Sequence, residues 1–329
     1  MPLRRPSAAL AALLAVPLGT LVACSDEGDP APASAQEINP YAGRGGYADP
    51  DSHTAQAAAQ ATGSGDAQQE RVLARLAETP QGIWLTPEQE PAGQVGPYVA
   101  EIVAAADDAG QVPTFVVYGI PDRDCSGGFS AGGLPADEYG PWVQEIADAA
   151  DAGDHVVVVV EPDALPGALE CGDREERVRL VADAVDDLAA AGATTYVDAG
   201  HANWVAPEDL APLLEQVGVE DVRGFATNVS NFQSDEDEWA YAEELSGLLD
   251  DARYIIDSGR NGFGATDDWC NPPGRAFGTQ PGAVTDHGSL DAYVWVKPPG
   301  ESDGECGGGP PAGQFWPERA LEIAAASGW

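Results

Sequence analysis

Residues 155–163, with the sequence HVVVVVEPD, place five consecutive valines before an abrupt change to charged residues. A strand that is apolar at every position is buried on both faces, as in parallel sheets with helices packed on either side. The glutamate, proline and aspartate that follow are typical of a turn rather than of a continuing strand. The segment therefore predicts an internal strand of a parallel sheet, with polar residues at its carboxyl end.

The same alternation of short apolar runs and alanine-rich amphipathic stretches extends along the chain. Strands are predicted at 82–85, 112–119, 155–160, 194–198, 222–228, 253–257 and 290–296, and helices at 95–109, 137–152, 174–191, 207–216, 236–250 and 317–326. Alternating strands and helices form a parallel sheet or barrel with right-handed crossovers. Residues 38–329 contain no second linker and no internal repeat, so we expect a single domain of α/β barrel size.

The first 37 residues have the composition of an export signal followed by a tether. Arg4 and Arg5 precede an apolar stretch, residues 8–22, that is short for a membrane span and is followed closely by Cys24. Small residues before this cysteine resemble a bacterial lipobox, which predicts a signal peptide at 1–23, a lipidated Cys24 and a disordered tether at 24–37. The alternative is an ordinary signal peptide. Either way we expect an exported protein, on the extracellular face of a bacterial membrane or secreted.

The remaining cysteines also favour an oxidising compartment. Cys125, Cys171, Cys270 and Cys306 allow three disulfide pairings, and their spacing alone does not choose among them. No two of them have the CxxC spacing of a zinc site. We therefore expect two disulfides, no metal ion and no cofactor.

The chain is strongly acidic, with 55 Asp and Glu against 15 Lys and Arg and a net charge of −40. Residues 1–23 carry two arginines and no acids, so the rest has 55 acidic against 13 basic residues, or −42. This charge argues against nucleic acid and anionic surfaces as partners, and membrane contact is expected only through a lipidated Cys24. Most carboxylates are expected to form a solvated coat. The chain's one lysine, Lys297, is notable because solubility does not explain it.

Polar and aromatic side chains follow six successive predicted strands. They are Asp122, Arg123 and Asp124; Asp163; Asp198, His201, Asn203 and Trp204; Asn228 and Asn231; Asp257, Arg260 and Asn261; and Lys297, Glu301 and Asp303. In parallel α/β folds the carboxyl ends of the strands form one rim, where sites are built. The sequence therefore predicts a functional site on this rim.

The residue types in this set suit a sugar polymer, because indole rings stack on sugar faces while carboxylates and amides bond to hydroxyls. Hydrolysis of a glycosidic bond needs a proton donor, and an inverting enzyme also needs a second carboxylate about 6.5–9.5 Å away to activate water. Asp163 and Asp303 lie on different strands and are candidates to face each other across a cleft. Asp124 and Asp198 would raise the pKa of Asp163 by like-charge repulsion and keep it protonated.

Seven motifs occur in the order IPDRDCSGG, VVVEPDALP, YVDAGHANW, TNVSNF, SGRNG, DDWCNPPGRAFG and VWVKPPGESDG. Together they resemble glycoside hydrolase family 6 over roughly residues 38–329. The resemblance implies a cellulase that cleaves β-1,4-glucan with inversion. It also implies a single catalytic domain folded as a distorted, incomplete parallel β/α barrel of about seven strands.

Carried over residue by residue, the resemblance makes Asp163 the proton donor and Asp198 an aspartate that supports it. Asp124 matches the carboxylate that steers the donor's ionisation and the catalytic water. Asp303 matches the proposed base, although an alternative route passes the proton through a water chain toward Asp124. Without the resemblance, Asp163 would also fit a turn cap and Asp124 a partner of Arg123.

The resemblance also implies a set of substrate contacts. Tyr118, Arg123 and Ser130 match residues near the cleaved ring and its mobile loop, Lys297 and Glu301 match hydroxyl contacts, and Trp84, Trp204 and Trp269 match stacking platforms. His201 and Asn231, at the strand ends, complete the predicted substrate-binding set. The implied disulfides pair Cys125 with Cys171 and Cys270 with Cys306.

Three readings of the activity differ in mode and substrate. In the family that the chain resembles, exo-acting members carry long loops that cover the cleft. Only Gly304 and Glu305 separate Asp303 from Cys306, so the resemblance favours endo cleavage. We also expect a monomer. The alternatives are a non-catalytic or weakly active glucan-binding surface lipoprotein, and an enzyme for mixed-linkage or other β-glucans. A GxSxG match at 128–132 is rejected, because the preceding strand ends about ten residues earlier and no helix follows.

Overall fold

The computed structural model describes residues 34–125 and 128–329, and within them an eight-stranded sheet forms the centre of the fold. Its strands are β1 Ile83–Leu85, β2 Thr114–Val117, β3 Val157–Val160, β4 Thr194–Asp198, β5 Gly224–Thr227, β6 Arg253–Asp257, β7 Gly282–Ala283 and β8 Leu290–Val294. The spatial order is β1-β2-β3-β4-β5-β6-β8-β7. All neighbours are parallel except β7, which is antiparallel to β8.

Nine α-helices are assigned in the same described ranges. They are α1 His53–Ala61, α2 Ala67–Ala77, α3 Val95–Ala109, α4 Ala136–Ala150, α5 Ala164–Gly167, α6 Arg174–Ala190, α7 Pro207–Gln216, α8 Asp235–Leu248 and α9 Pro317–Ala326. The seven predicted strands and six predicted helices are all present, five with the predicted bounds and the others with ends shifted by one or two residues. The sequence interpretation missed α1, α2, α5 and β7, and four-residue α5 and two-residue β7 are too short for a periodic signal.

The sheet curls into an incomplete barrel, as predicted, although it has eight strands where about seven were expected. The Gly82 amide, just before β1, donates to the Trp295 carbonyl at 2.8 Å, and the Trp84 indole donates to the Val296 carbonyl at 2.9 Å. These contacts bring the first strand beside the chain that leaves β8. The polar carboxyl ends of the strands therefore surround one end of a curved sheet instead of forming a straight row.

The valine run of β3 is buried on both faces, as its composition predicts. Val157 and Val159 pack inside the curled sheet, whereas Val158 and Val160 pack in the larger core against the helices. This alternation follows from the two-residue period of a strand. It fixes the direction of the strand's carboxyl end, where the chain turns into Glu161, Pro162 and Asp163.

The amino ends of the strands are occupied by a buried polar network. Asp291 accepts two hydrogen bonds of 2.7 Å from the Arg223 guanidinium and one of 2.7 Å from the Tyr196 hydroxyl. The Gln36 side chain bonds to the backbone of Thr195 and Arg223, at 3.2 and 3.0 Å. The end of the predicted tether, 24–37, therefore belongs to the described fold, because Gln36 is anchored in this network.

The predicted signal peptide and Cys24 lie outside the described residues. Within residues 34–125 and 128–329, no helix is both long and apolar enough to cross a membrane.

Candidate active site

A cleft of about 1200 Å³ lies at the carboxyl ends of the strands, on the rim that the sequence predicts. The predicted site residues that line it are Trp84, Tyr118, Arg123, Asp124, Ser130, Asp163, His201, Trp204, Asn231, Trp269, Lys297, Glu301 and Asp303. Asp198 lies behind the wall of the cleft and is almost completely buried. The fold thus brings the predicted set together, with Asp198 as a supporting group instead of a lining one.

Asp163 sits in the turn after β3 with a left-handed backbone, φ 69°. This conformation is uncommon outside glycine, and aspartate tolerates it better than most residues. The Asp163 N–H donates to Asp198 Oδ2 at 2.9 Å, and the Gly200 N–H donates to the same oxygen at 3.1 Å. Asp198, the last residue of β4, therefore holds the turn that points Asp163 into the cleft.

Burial and like charge both favour the protonated form of Asp163. Burial is the larger cause and the charge of Asp124 the second, and together they raise the pKa of Asp163 to about 7. The pKa of Asp198 is raised well above its usual range, first by burial and then by Asp163. A carboxyl that keeps its proton near neutral pH is suited to act as a general acid.

Asp124 lies near this acid on the loop after β2, and its backbone is also left-handed, φ 51°. Its Oδ2 accepts a hydrogen bond of 2.7 Å from the Ser130 N–H, and the next residue forms the Cys125–Cys171 disulfide. Since Cys171 follows α5, this bond ties the loop of Asp124 to the segment after Asp163. The predicted pairing is confirmed, and it keeps the two carboxyl loops together.

Arg123, predicted to contact substrate, uses much of its guanidinium to hold its own loop. It donates to the Ser130 and Tyr118 carbonyls, both at 2.9 Å, and to Glu88 Oε2 at 2.8 Å. It also lies 4.9 Å from the centre of the Tyr118 ring. Arg123 therefore fixes the shape of the loop that carries Asp124.

Asp303 lies on the loop after β8, where it is buried among hydrogen-bond donors. Its Oδ1 accepts from the Arg260 guanidinium at 2.8 Å, and its Oδ2 accepts from the Asn271 N–H at 2.9 Å. The Cys270–Cys306 disulfide, also as predicted, closes the same pair of loops. The charge of Asp303 is thus matched by Arg260, and each of its oxygens already accepts a hydrogen bond.

A second polar group surrounds Lys297. The Lys297 ammonium lies 3.6 Å from Glu301 Oε2 and 5.1 Å from the centre of the Trp84 ring. Glu301 also meets His53 of α1, with 3.4 Å between Oε1 and Nδ1. Hydrogen bonding to Glu301 raises the pKa of His53. Lysine, carboxylate and indole together form a surface for a polar ring with an apolar face.

Asp257, at the end of β6, braces this region from behind. Its two oxygens accept from the backbone N–H groups of Ser230, Gly259, Val296 and Lys297, at 2.9 to 3.2 Å. Burial is the main cause that raises its pKa to about 6. These four backbone contacts fit a structural role for Asp257.

The remaining aromatic groups lie on other parts of the cleft wall. The His201 and Trp204 rings are 5.6 Å apart, and the Trp204 indole donates to Glu170 Oε1 at 2.6 Å. Burial lowers the pKa of His201 to about 4, so its ring is neutral near pH 7 and is a poor proton donor. Trp269 is half-exposed and lies 5.7 Å from the Phe129 ring.

Several cleft residues escaped the sequence interpretation. His53 lies on α1, which was not predicted, and Glu88 and Glu170 lie in loops with no motif of their own. Phe129 was visible as an apolar residue within a glycine-rich loop, and a polymer site would have been a reason to select it. Trp295, by contrast, is fully buried and stacks on Phe277 at 4.9 Å, so it belongs to the core.

Comparison with known proteins identifies a consistent group of relatives. Residues 41–327 match the family model described as glycosyl hydrolases family 6. Endoglucanase A of Cellulomonas fimi is 41% identical over 285 residues, which are 87% of this chain and 62% of that protein's length. Endoglucanase 1 of Streptomyces sp. (strain KSM-9) is 39% identical over 272 residues, 79% of this chain and 73% of that protein.

A solved structure has the same fold. It is the endoglucanase Cel6 of Mycobacterium tuberculosis in complex with methyl-cellobiosyl-4-deoxy-4-thio-β-D-cellobioside. The two structures superpose with a TM-score of 0.82 at 41% sequence identity, covering 89% of this chain and all of the other.

Proposed function

Because this chain belongs to glycosyl hydrolases family 6, we propose that it hydrolyses β-1,4-glucosidic bonds of cellulose or a related β-glucan. The observation that carries the proposal is Asp163, a carboxyl that retains its proton to about pH 7 in a cleft lined by tryptophans. Relatives named endoglucanases and a structural neighbour with a bound thio-cellooligosaccharide analogue support this substrate class.

We assign Asp163 as the general acid. It donates its proton to the glycosidic oxygen as the bond to the anomeric carbon breaks, and the leaving sugar departs as an alcohol. Water attacks the anomeric carbon from the opposite face, so the configuration inverts. Asp198 holds the Asp163 turn through the 2.9 Å hydrogen bond, and Asp124 raises the pKa of the acid.

The proton of the attacking water has two candidate acceptors. Asp303 lines the cleft, and its Oδ1 is already paired with the Arg260 guanidinium at 2.8 Å. Asp124 would receive the proton through a water chain. Azide separates the two routes in the Asp303→Ala variant, because this anion attacks the anomeric carbon in place of water and needs no base: recovery of rate with formation of a glycosyl azide supports Asp303, and no recovery supports Asp124.

We further propose endo cleavage by a monomer. The loop between Asp303 and Cys306 contains only Gly304 and Glu305, and the Cys270–Cys306 disulfide holds it short. Phe129 approaches Trp269 and Gly304, so the loops after β2, β6 and β8 meet at that point. Within the described residues this is a contact of single side chains and not a long cover, which is compatible with entry of an internal chain segment.

We propose export with anchoring through a lipidated Cys24, and two disulfides support an oxidising compartment. Mass spectrometry of the mature N-terminus tests the anchor. An acylated peptide beginning at Cys24 supports it, and an unmodified terminus elsewhere overturns it.

The catalytic proposal is tested on carboxymethylcellulose by following viscosity and reducing ends together. Wild type should cause an early fall in viscosity, and the product anomer seen first by NMR should be α. Asp163→Asn should lose at least ~100-fold in rate while still binding cello-oligosaccharides. Reducing ends without an early viscosity loss would exclude endo cleavage, and binding without hydrolysis by wild type would leave only a glucan-binding protein.

A further inference from the structure

Glu238 is a fully buried carboxyl that the proposed reaction does not use. It lies in the first turn of α8. A carboxyl placed in a protein interior needs hydrogen-bond partners, or the cost of removing it from water is not recovered. The identity of its partners therefore indicates what it holds.

Side chains from the first two turns of α8 form hydrogen bonds with the loop that follows β4. Glu238 Oε1 accepts from the Ala202 N–H at 2.8 Å, and the Tyr241 hydroxyl donates to the Ala199 carbonyl at 2.9 Å. The Asn203 side chain adds a hydrogen bond to Gln233, just before the helix. The loop is thus fixed at three points, two of them on α8 and one at Gln233, which lines the cleft together with Asn203.

The inner side of the same loop faces the cleft. His201 and Trp204 lie immediately before and two residues after Ala202, and both line the cleft. The Ala202 N–H points outward to Glu238 while these two rings point inward. A rotation of the Ala202 peptide would therefore turn both rings relative to the cleft axis.

Glu238 can remain in this place without a cation because it retains its proton. Burial raises its pKa to about 8, and the hydrogen bond from the Ala202 N–H offsets only part of the rise. Asp235 and Asp237 add like charge from the same helix, and Asp198 is a further acidic neighbour. A neutral carboxyl still accepts from Ala202 and adds no charge behind the Asp198–Asp163 pair.

We propose that Glu238 is a positioning residue for the sugar subsite formed by Trp204 and His201: its Oε1 holds Ala202, and this bond sets the angle at which the two rings meet the glucan. The inference rests on the proposed function for the identity of the ligand. It concerns binding at one wall of the cleft and not the proton transfer at Asp163.

The test compares Glu238→Met, which has a similar length but no acceptor, with Glu238→Gln, which keeps an oxygen for Ala202. Glu243→Met is the matched control, because Glu243 lies on the same helix and accepts hydrogen bonds from Tyr254 and Ser289, away from the cleft. We expect Glu238→Met to raise KM for cellohexaose about tenfold with kcat within about twofold. Glu238→Gln and Glu243→Met should keep the wild-type KM.

A merely structural role would lower the melting temperature without this pattern. In a background that lacks both rings, His201→Ala with Trp204→Ala, Glu238→Met should have no further effect on KM, because the rings that it positions are gone. An additive effect there, an unchanged KM in Glu238→Met, or an equal defect in Glu238→Gln overturns the inference.

A binding measurement separates this inference from the catalytic proposal. Calorimetry gives the affinity of cellohexaose for Asp163→Asn and for the double variant Asp163→Asn with Glu238→Met. Absence of hydrolysis by wild type would contradict the catalytic proposal alone. Equal affinities in the two variants would contradict the positioning role alone.

Discussion

Asp163→Asn should stabilise the fold at neutral and alkaline pH while it removes the proposed acid. The folded-state pKa of Asp163 is about 7, against an ordinary value of 3.8. A carboxyl whose pKa is raised by folding contributes stability that is present below pH 4 and is lost as the pH rises through 7. Asparagine does not titrate, so the variant escapes this loss.

The magnitude follows from the size of the shift. A difference of about 3 pH units corresponds to about 4 kcal/mol, at about 1.4 kcal/mol per unit. Because Asp163 faces a cleft that admits water, this is an upper bound. For a domain of this size, about 2 °C per kcal/mol gives a difference in melting temperature of up to roughly 8 °C.

The assay is thermal unfolding of wild type and Asp163→Asn at several pH values from 4 to 8.5, with Asp183→Asn as a control. Asp183 is 57% exposed on α6 and pairs with Arg179 at the surface. The melting temperatures of wild type and Asp163→Asn should be similar near pH 4 and diverge toward pH 8, with the variant the more stable. The control should follow wild type throughout.

Parallel curves for wild type and Asp163→Asn would refute the reasoning, because they would mean that folding leaves the pKa of Asp163 unchanged. The reasoning also fails if the melting temperature of Asp163→Asn drops below that of wild type as the pH rises from 4 to 8, because the sign of the effect would then be reversed. Loss of activity at Asp163 alone would not separate an acid with a raised pKa from a simple binding residue.

Three further predictions concern other parts of the cleft. Above about pH 7 the kcat/KM of wild type should fall about tenfold per pH unit. Asp124→Asn should lower the pKa of this decrease by less than about 1.5 units, since burial is the larger cause of the raised pKa of Asp163. An unchanged pKa of the decrease would contradict this prediction. Replacing Cys270 and Cys306 together by serine should cost about 4 kcal/mol, because the disulfide closes a loop with a sequence separation of 36; an unchanged melting temperature would exclude this. Trp84→Ala should raise KM for soluble glucan about tenfold through the loss of a stacking surface, whereas Trp239→Ala, outside the cleft lining, should leave KM unchanged; equal effects would deny Trp84 a specific role.

Much of the fold was predictable from the sequence because its signals are local. A run such as 156–160 is buried on both faces wherever the sheet places it, and the polar residues that follow mark the carboxyl end. Since parallel strands align their carboxyl ends, Asp163, Asp198 and Asp257 could be assigned to one rim before any pairing was known. The two disulfide pairings came from the ordered motifs and not from cysteine spacing.

Other features have no local signal. The Arg260 guanidinium clamps Asp303 from 43 positions earlier in the chain, and His53 reaches Glu301 from a helix that the sequence interpretation missed. Glu238 looks like one more acid in the run Asp235-Glu236-Asp237-Glu238, and only its burial against Ala202 distinguishes it.

The sequence by itself therefore determined the parallel α/β architecture, the rim and the residues that carry the proposed chemistry, because hydrophobic period and strand-end composition are properties of neighbouring residues. Tertiary structure alone decided which carboxyls keep a proton, which form an ion pair and which hold a neighbouring turn through hydrogen bonds. Those states depend on burial and on charges brought together by the curl of the sheet. The same carboxyl group occurs at Asp163, Asp303 and Asp198. Its surroundings differ, because Asp163 lies near Asp124, Asp303 is paired with Arg260, and Asp198 is buried behind the cleft wall, and these differences give the three residues different roles.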